Sequence, residues 1–181
     1  MSTPRQPDPA KLFFAVLSSQ DAPIEELRHR LSLEFSAIQH ELEPYAMTDS
    51  DYYVPEMGAH LQKTIWVCAQ SIDPAELVDI KLHTNRLEAH YAGKRGRRVN
   101  IDPGYLDLAR VVLATGKNNA HRLYIASGIY EEITLLWKRR EGYQPLPWTY
   151  PDYRRAEVLN FLNLARESFH EELRQLPCTS T

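Results

Sequence analysis

Four polar groups carry the side chains that could do chemistry in this 181-residue chain. Asp49, Asp51, Tyr52, Tyr53 and Glu56 crowd the stretch DSDYYVPE. Carboxylates beside tyrosines suit acid/base work or a cationic partner; a solvated loop with two aromatic anchors is the plainer reading. Lys81, Asn85 and Glu88 follow at i, i+4 and i+7 and so share one helix face. There Lys81 would meet an anion while Asn85 and Glu88 orient it, or the three form an exposed, ion-paired face.

Asn100, Asp102 and Tyr105 lie on VNIDPGYL, residues 99–106. Asn is depleted inside strands, so Asn100 calls for a reason. Pro103 presets φ, and Gly104 can take the positive φ of a type II turn, so the spacing predicts a strand running into a tight corner. Asp102 would then cap its own turn. The fourth group is Lys117, Asn118, His121 and Arg122 at a predicted hairpin tip and strand start. Several donors close together suit a phosphate or carboxylate, although hairpin lysines are often merely solvated and a histidine is often a neutral, satisfied imidazole. Trp148, Tyr150 and Tyr153 would stack on a ligand ring or clamp the last helix.

The familiar signatures are missing. There is no GxxxxGK[ST] loop, no GxGxxG after a strand, no GxSxG elbow, and no His or Cys pair at metal-ligand spacing. The sequence therefore names no cofactor and no metal. Cys68 and Cys178 are the only cysteines; one lies in an apolar run and one in a polar tail, so no disulfide is expected. Apolar surroundings raise a thiol's pKa and leave Cys68 inert.

These groups must be held by regular elements. Residues 11–18 (KLFFAVLS) read as a central strand. A helix over 22–35 follows, with Asp21 as N-cap and Leu27, Leu31 and Phe35 at helical spacing. Strands are expected at 37–47 and 61–72, separated by a polar loop. Asp73-Pro74-Ala75-Glu76 is a capping box with proline at the first helical position; it starts a helix whose stripe is Leu77, Ile80, Thr84, Leu87 and Tyr91. A strand at 97–101 completes strand, helix, strand, strand, helix, strand, the βαββαβ order of ferredoxin-like folds. Residues 109–115, 121–126 and 129–138 read as successive hairpins. The proline-rich residues 145–151 should lie extended on the surface, and 153–173 form the last helix with Val158, Leu162, Ala165, Phe169 and Leu173 inward.

The expectation is one α+β domain over 11–176: a ferredoxin-like core extended by antiparallel hairpins and closed by a C-terminal helix. Residues 1–10 are expected to be a disordered lead-in and 177–181 a flexible tail. Hydrophobic residues make up 43% and charged residues 25%, a globular balance, and no apolar run is long enough to cross a bilayer. A net charge of −3 argues against nucleic-acid or membrane partners, and the lead-in lacks the apolar core of a signal peptide, which points to the cytoplasm.

Taken together, KLFFAVL, DYYVPEMG, DPAELVDIKLHTNRLE, RRVNIDPGYL, VLATGKNNAHRLYI, GIYEEITLL and PLPWTYPDYR resemble the pattern of the bacterial family called domain of unknown function 4416. The resemblance runs from Lys11 to the final helix. It highlights Asp51, Tyr52, Tyr53, Glu56, Met57, Gly58, Lys81, Asn85, Glu88, Asn100, Asp102, Gly104, Tyr105, Lys117, His121 and Arg122, with Pro147, Trp148, Thr149, Tyr150, Pro151 and Asp152. It implies no established activity. Members are sometimes labelled GTP-binding, a label that gains no physical basis here without a phosphate loop.

Two readings of different class follow. In the first, the chain is a pocket protein for a small anionic ligand, a nucleotide or other phosphate ester, with or without a reaction upon it. Lys81, Lys117, His121 and Arg122 would neutralise the anion, with Asn85, Asn100 and Tyr105 placing it. Asp51, Glu56, Glu88 and Asp102 would be acid/base or metal-binding carboxylates, and these with His121 are the catalytic candidates. In the second, the chain is a non-catalytic interaction module that covers a protein partner with Trp66, Trp137, Trp148 and Tyr150. RNA binding on the sheet is a weaker third reading, since the aromatic signature of such sheets is missing.

Overall fold

A strand buried on both faces must lie inside a sheet, and β1 (Ala10–Ser18) has all nine of its residues buried. The computed structural model describes residues 3–49, 52–94 and 96–175. The sequence expectations for Asp51, for Cys178 and for the tail at 177–181 fall outside the described residues. Residues 3–9 are exposed and without regular structure.

β1 is flanked on one side by β3 (Gln62–Ile72) and then β2 (Ile38–Ala46), and on the other by β4 (Val99–Leu106), every neighbouring pair antiparallel. Helix α1 (Ile24–Glu34) connects β1 to β2, and α3 (Leu77–His90) connects β3 to β4. The four-residue α2 (Val54–Met57) interrupts what the sequence reads as a plain loop. Beyond β4 come β5 (Arg110–Thr115), β7 (Ile129–Lys138) and β6 (Leu123–Ala126), and β8 (Gly142–Pro145) takes the other half of the outer edge of β7. The result is a mixed α/β chain built on one eight-stranded antiparallel sheet.

Alternation along the strands sends side chains to two cores. Leu12, Phe14, Val16, Trp66, Val99 and Ile101 pack with α1 and α3 on one face. Phe13, Ala15, Ile65, Val67, Val111 and Leu135 pack on the other face beneath α4 (Ala156–Gln175), which buries Val158, Phe161, Leu162, Ala165 and Phe169. The capping box at Asp73 is formed, with the Ala75 amide donating to Asp73 Oδ1 and the Asp73 amide donating to Glu76 Oε1, both at 2.9 Å. No helix of the described residues is long and apolar enough to cross a membrane.

Several expectations are corrected. Pro103 and Gly104 do not turn: β4 runs straight through them, paired with Phe14 and Phe13 of β1. Gly104 is needed for space, because a Cβ there would sit 2.6 Å from Phe13 Cζ and against the Val112 carbonyl. β5 and β6 do not form a hairpin; β7 lies between them. All four β6 residues are exposed, which suits an edge, whereas β7 is long and buries residues on both faces. The β6–β7 turn is made by Ser127 and Gly128, both at positive φ, as a two-residue hairpin requires. Asp21 does not cap α1; its Oδ1 accepts the Ser19 hydroxyl at 2.6 Å, and no side chain caps the helix. Residues 145–151 lie mostly on the surface, as expected, but are not extended throughout: the Leu146 amide donates to Thr149 Oγ1 at 2.7 Å and the Thr149 amide donates back to the Leu146 carbonyl at 3.0 Å, with Thr149 buried. Tyr153 belongs to a 3-10 turn (Pro151–Arg154), one turn before α4 begins.

Candidate functional site: a charged cavity where the sheet parts

β4 and β5 pair only where Gly104–Leu106 meets Val111–Leu113. Before that point no strand of the described residues lies beside the open edge of β4, and a buried strand edge must find partners. Two side chains of α3 supply them. Lys81 Nζ donates to the Ile101 carbonyl at 2.9 Å, and the Ile101 amide donates to Glu88 Oε1 at 2.8 Å. Since Ile101 points its backbone away from β1, so does Pro103 two residues on, and the missing proline N–H costs the β1 ladder nothing. The Lys81–Asn85–Glu88 face is therefore no solvated face: Lys81 and Glu88 are buried, with Asn85 exposed beside them.

The same groups organise the end of β4. Lys81 Nζ also donates to Asp102 Oδ1 at 3.1 Å, and Asn100 Nδ2 donates to Asp102 Oδ2 at 2.8 Å. Arg97 Nη1 donates to Asn100 Oδ1 at 2.8 Å and to Glu88 Oε2 at 3.1 Å. Its Nε and Nη2 grip Glu56 as a fork at 2.8 and 2.7 Å, the strong bidentate geometry. Burial pushes the Glu88 carboxyl above its ordinary value in spite of Lys81. Burial would also raise Asp102, but the charges of Lys81 and Lys63 outweigh it and hold that carboxyl below the usual range. All four oxygens of Glu88 and Asp102 are thus taken up within the protein.

Where β4 and β5 separate, a cavity of about 540 Å³ opens. Its carboxylates are Asp49, Glu88, Asp102, Glu132 and Asp152; its cations are Lys63, Lys81, Arg97 and Lys117; Tyr52, Tyr53, Tyr150 and Tyr153 add aromatic walls. Lys63, on β3, forms a buried ion pair with Asp152 and lies 4.8 Å from the centre of the Tyr153 ring. Lys117 donates to the Tyr52 hydroxyl at 2.9 Å and lies 4.0 Å from the centre of that ring. That hydrogen bond and the lysine's charge lower the Tyr52 phenol pKa. Burial raises those of Tyr53, Tyr150 and Tyr153. No group of three His, Cys, Asp or Glu side chains among the described residues is arranged to hold a metal ion.

Glu132, on β7, is 2% exposed and lines this cavity. Its Oε2 accepts from Arg122 Nε at 2.7 Å and sits 3.1 Å from His121 Nε2. Among the described residues its Oε1 has no partner, and neither has the buried Tyr153 hydroxyl. Arg122 also donates to the Lys117 carbonyl at 2.9 Å and to the Tyr150 hydroxyl, and His121 stacks on Trp148 with centroids 5.5 Å apart. Trp148 in turn donates to the Ile133 carbonyl at 2.8 Å.

Of the sequence candidates, Lys81, Asn85, Glu88, Asn100, Asp102 and Lys117 come together on the cavity wall. Glu56 stands behind Arg97, and His121 and Arg122 stand behind Glu132, each supporting a wall residue rather than facing the cavity. Tyr105 is apart from them, buried in the core under α1 and α3, where desolvation pushes its phenol up to about 12. Asp51 lies outside the described residues. Trp66 is buried and Trp137 is covered by the Arg166 guanidinium at 3.8 Å, so the four aromatics proposed for a protein partner do not share one open surface.

Sequence reasoning missed Lys63 and Glu132 and read Arg97 only as a helix-end charge. A signal existed for the first two: each interrupts a strand otherwise rich in apolar and β-branched residues. A charged group there requires a buried partner.

No curated protein and no solved structure matches the chain. Residues 8–169 match the family described as Domain of unknown function (DUF4416), and these span the sheet, α1, α3, most of α4 and every lining residue of the cavity. The chain belongs to the DUF4416 family.

Proposed function

We propose that the cavity binds a small molecule bearing an anionic group, a nucleotide or other phosphate ester, and that Lys117 receives that group. The observation that carries this reading is the pairing of the wall cations. Among the described residues Lys63, Lys81 and Arg97 are each held by carboxylates, whereas Lys117 makes its side-chain hydrogen bond to a phenol. An incoming anion meets in Lys117 an ammonium that it need not take from a carboxylate. The volume falls within the roughly 300–1,000 Å³ usual for ligand sites. Exposed tyrosines beside Lys117 offer faces on which a ring can stack.

The test is a thermal-shift and calorimetric comparison of the wild type and Lys117→Ala against nucleoside monophosphates and sugar phosphates. A ligand present at about 100 times its Kd stabilises the fold by roughly 2.7 kcal/mol. The expected result is such a shift for the wild type and at least a tenfold weaker Kd for the variant. No shift with any phosphate ester, or equal binding by both proteins, refutes the reading.

A further inference from the structure

Glu132 lines a cavity large enough for a ligand, and its Oε1 is a buried carboxylate oxygen with no partner among the described residues. Buried acceptors are nearly always satisfied, so an orphan on a cavity wall marks a place for a donor from outside the chain. The oxygen is held in place: Arg122 and His121 fix Oε2 of the same carboxylate, Trp148 holds the His121 ring, and Tyr150 and the Lys117 carbonyl hold Arg122. A rigid acceptor of this kind is recognition geometry.

Charge balance narrows the donor. Among the described residues Asp49 pairs with Arg155, Asp102 with Lys81, Asp152 with Lys63 and Glu132 with Arg122. What remains is one positive pole at Lys117 and one surplus negative charge where Glu56 and Glu88 share Arg97. The poles cancel but are separated, a pattern that complements a molecule carrying both signs.

Resting on the reading of Lys117 as the anion site, we propose that the ligand also carries a nitrogen donor, an amine or amide N–H, received by Glu132 Oε1. The cavity then selects amine-bearing phosphate esters over their isosteres. The Tyr153 hydroxyl, the second unpartnered group on the wall, stays a protonated phenol because burial raises its pKa, and it supplies a donor for an acceptor atom beside that nitrogen.

The experiment uses isosteric probes that share the phosphate and differ at the far end. Phosphoethanolamine, 2-hydroxyethyl phosphate and propyl phosphate form a short series; adenosine 5′-monophosphate and purine riboside 5′-monophosphate form a long pair. Binding is measured on the wild type, Lys117→Ala and Glu132→Gln. In Glu132→Gln the amide oxygen can still accept from Arg122, while the NH2 turns an acceptor into a donor toward the cavity. The expected result is that the amine-bearing member of at least one series, phosphoethanolamine or adenosine 5′-monophosphate, binds the wild type tenfold or more tighter than its isosteres. Glu132→Gln removes that advantage and leaves propyl phosphate or purine riboside monophosphate unchanged, whereas Lys117→Ala weakens every member alike. Glu132→Asp keeps a charge for Arg122, draws the carboxylate back by one methylene and gives the same loss, so the test survives a misfolded amide variant. Equal binding across both series, or an advantage that persists without Glu132, overturns this inference while the anion site stands. Failure of all five probes to bind overturns both.

Discussion

Lys81→Met tests the central structural argument, that a lysine of α3 substitutes for a missing strand at the open edge of β4. Methionine retains most of the aliphatic stem, so the change removes the ammonium and little packing. The Lys81 side chain is 7% exposed and that of Glu88 is 8%, which places the lost charge among groups with little water to replace it. Leaving the Ile101 carbonyl unpartnered costs about 1–3 kcal/mol. Removing one member of a buried ion pair costs about 3–5 kcal/mol in total, the orphaned carbonyl included. The expected loss is about 4 kcal/mol, equivalent to a fall in Tm of roughly 8–16 °C for a chain of this size. Urea unfolding followed by tryptophan fluorescence measures it. The pH dependence supplies a second check. Asp102 has a folded pKa below its ordinary 3.8, so it contributes stability above that value and loses it as pH falls through the folded one. Glu88, raised by burial, acts in the opposite sense, and its cost is largest at neutral pH and grows without Lys81. Both effects make the gap between wild type and variant widest near neutrality and narrower below about pH 4. A loss under about 1 kcal/mol, or a gap independent of pH, refutes the reasoning.

Gly104→Ala should destabilise the fold by about 3 kcal/mol in the same assay, because its methyl group meets the Phe13 ring and the Val112 carbonyl at a point where two strands cannot part further. Tyr52 should form its phenolate at lower pH than an ordinary tyrosine, read by ultraviolet difference titration, and Lys117→Ala should return that transition upward; an unchanged titration refutes the Lys117–Tyr52 contact.

Local rules were legible in the chain wherever neighbours in sequence are also the partners in space. The Asp73 capping box, the inward stripe of α3, the Ser127–Gly128 turn and the seam of α4 depend on side chains within a few residues of one another, and the structure bears all four out. The Pro103–Gly104 corner failed for the opposite reason. Its dipeptide is an ordinary turn signal, and only the close approach of Phe13 from β1 and Val112 from β5 makes the glycine a spacer within a strand. In the same way ARVVLAT, HRLYIA and IYEEITLLWK read as strands, but nothing local says that the third inserts between the first two.

The sequence by itself determined most of the elements, though not α2 or β8, and one patch of the cavity wall: Lys81, Asn85 and Glu88 share a face by helical spacing, while Asp102, read as a turn residue, joins Asn100 on β4 only in the fold. Tertiary structure alone decided that these faces meet, because β4 and β5 part after three paired positions and leave a backbone edge that α3 must satisfy. It alone brought Lys63, Glu132 and Asp152, from residues far apart in the chain, to the same walls. Periodicity reports the side of an element on which a residue lies, whereas the choice of strand neighbours decides what that side faces.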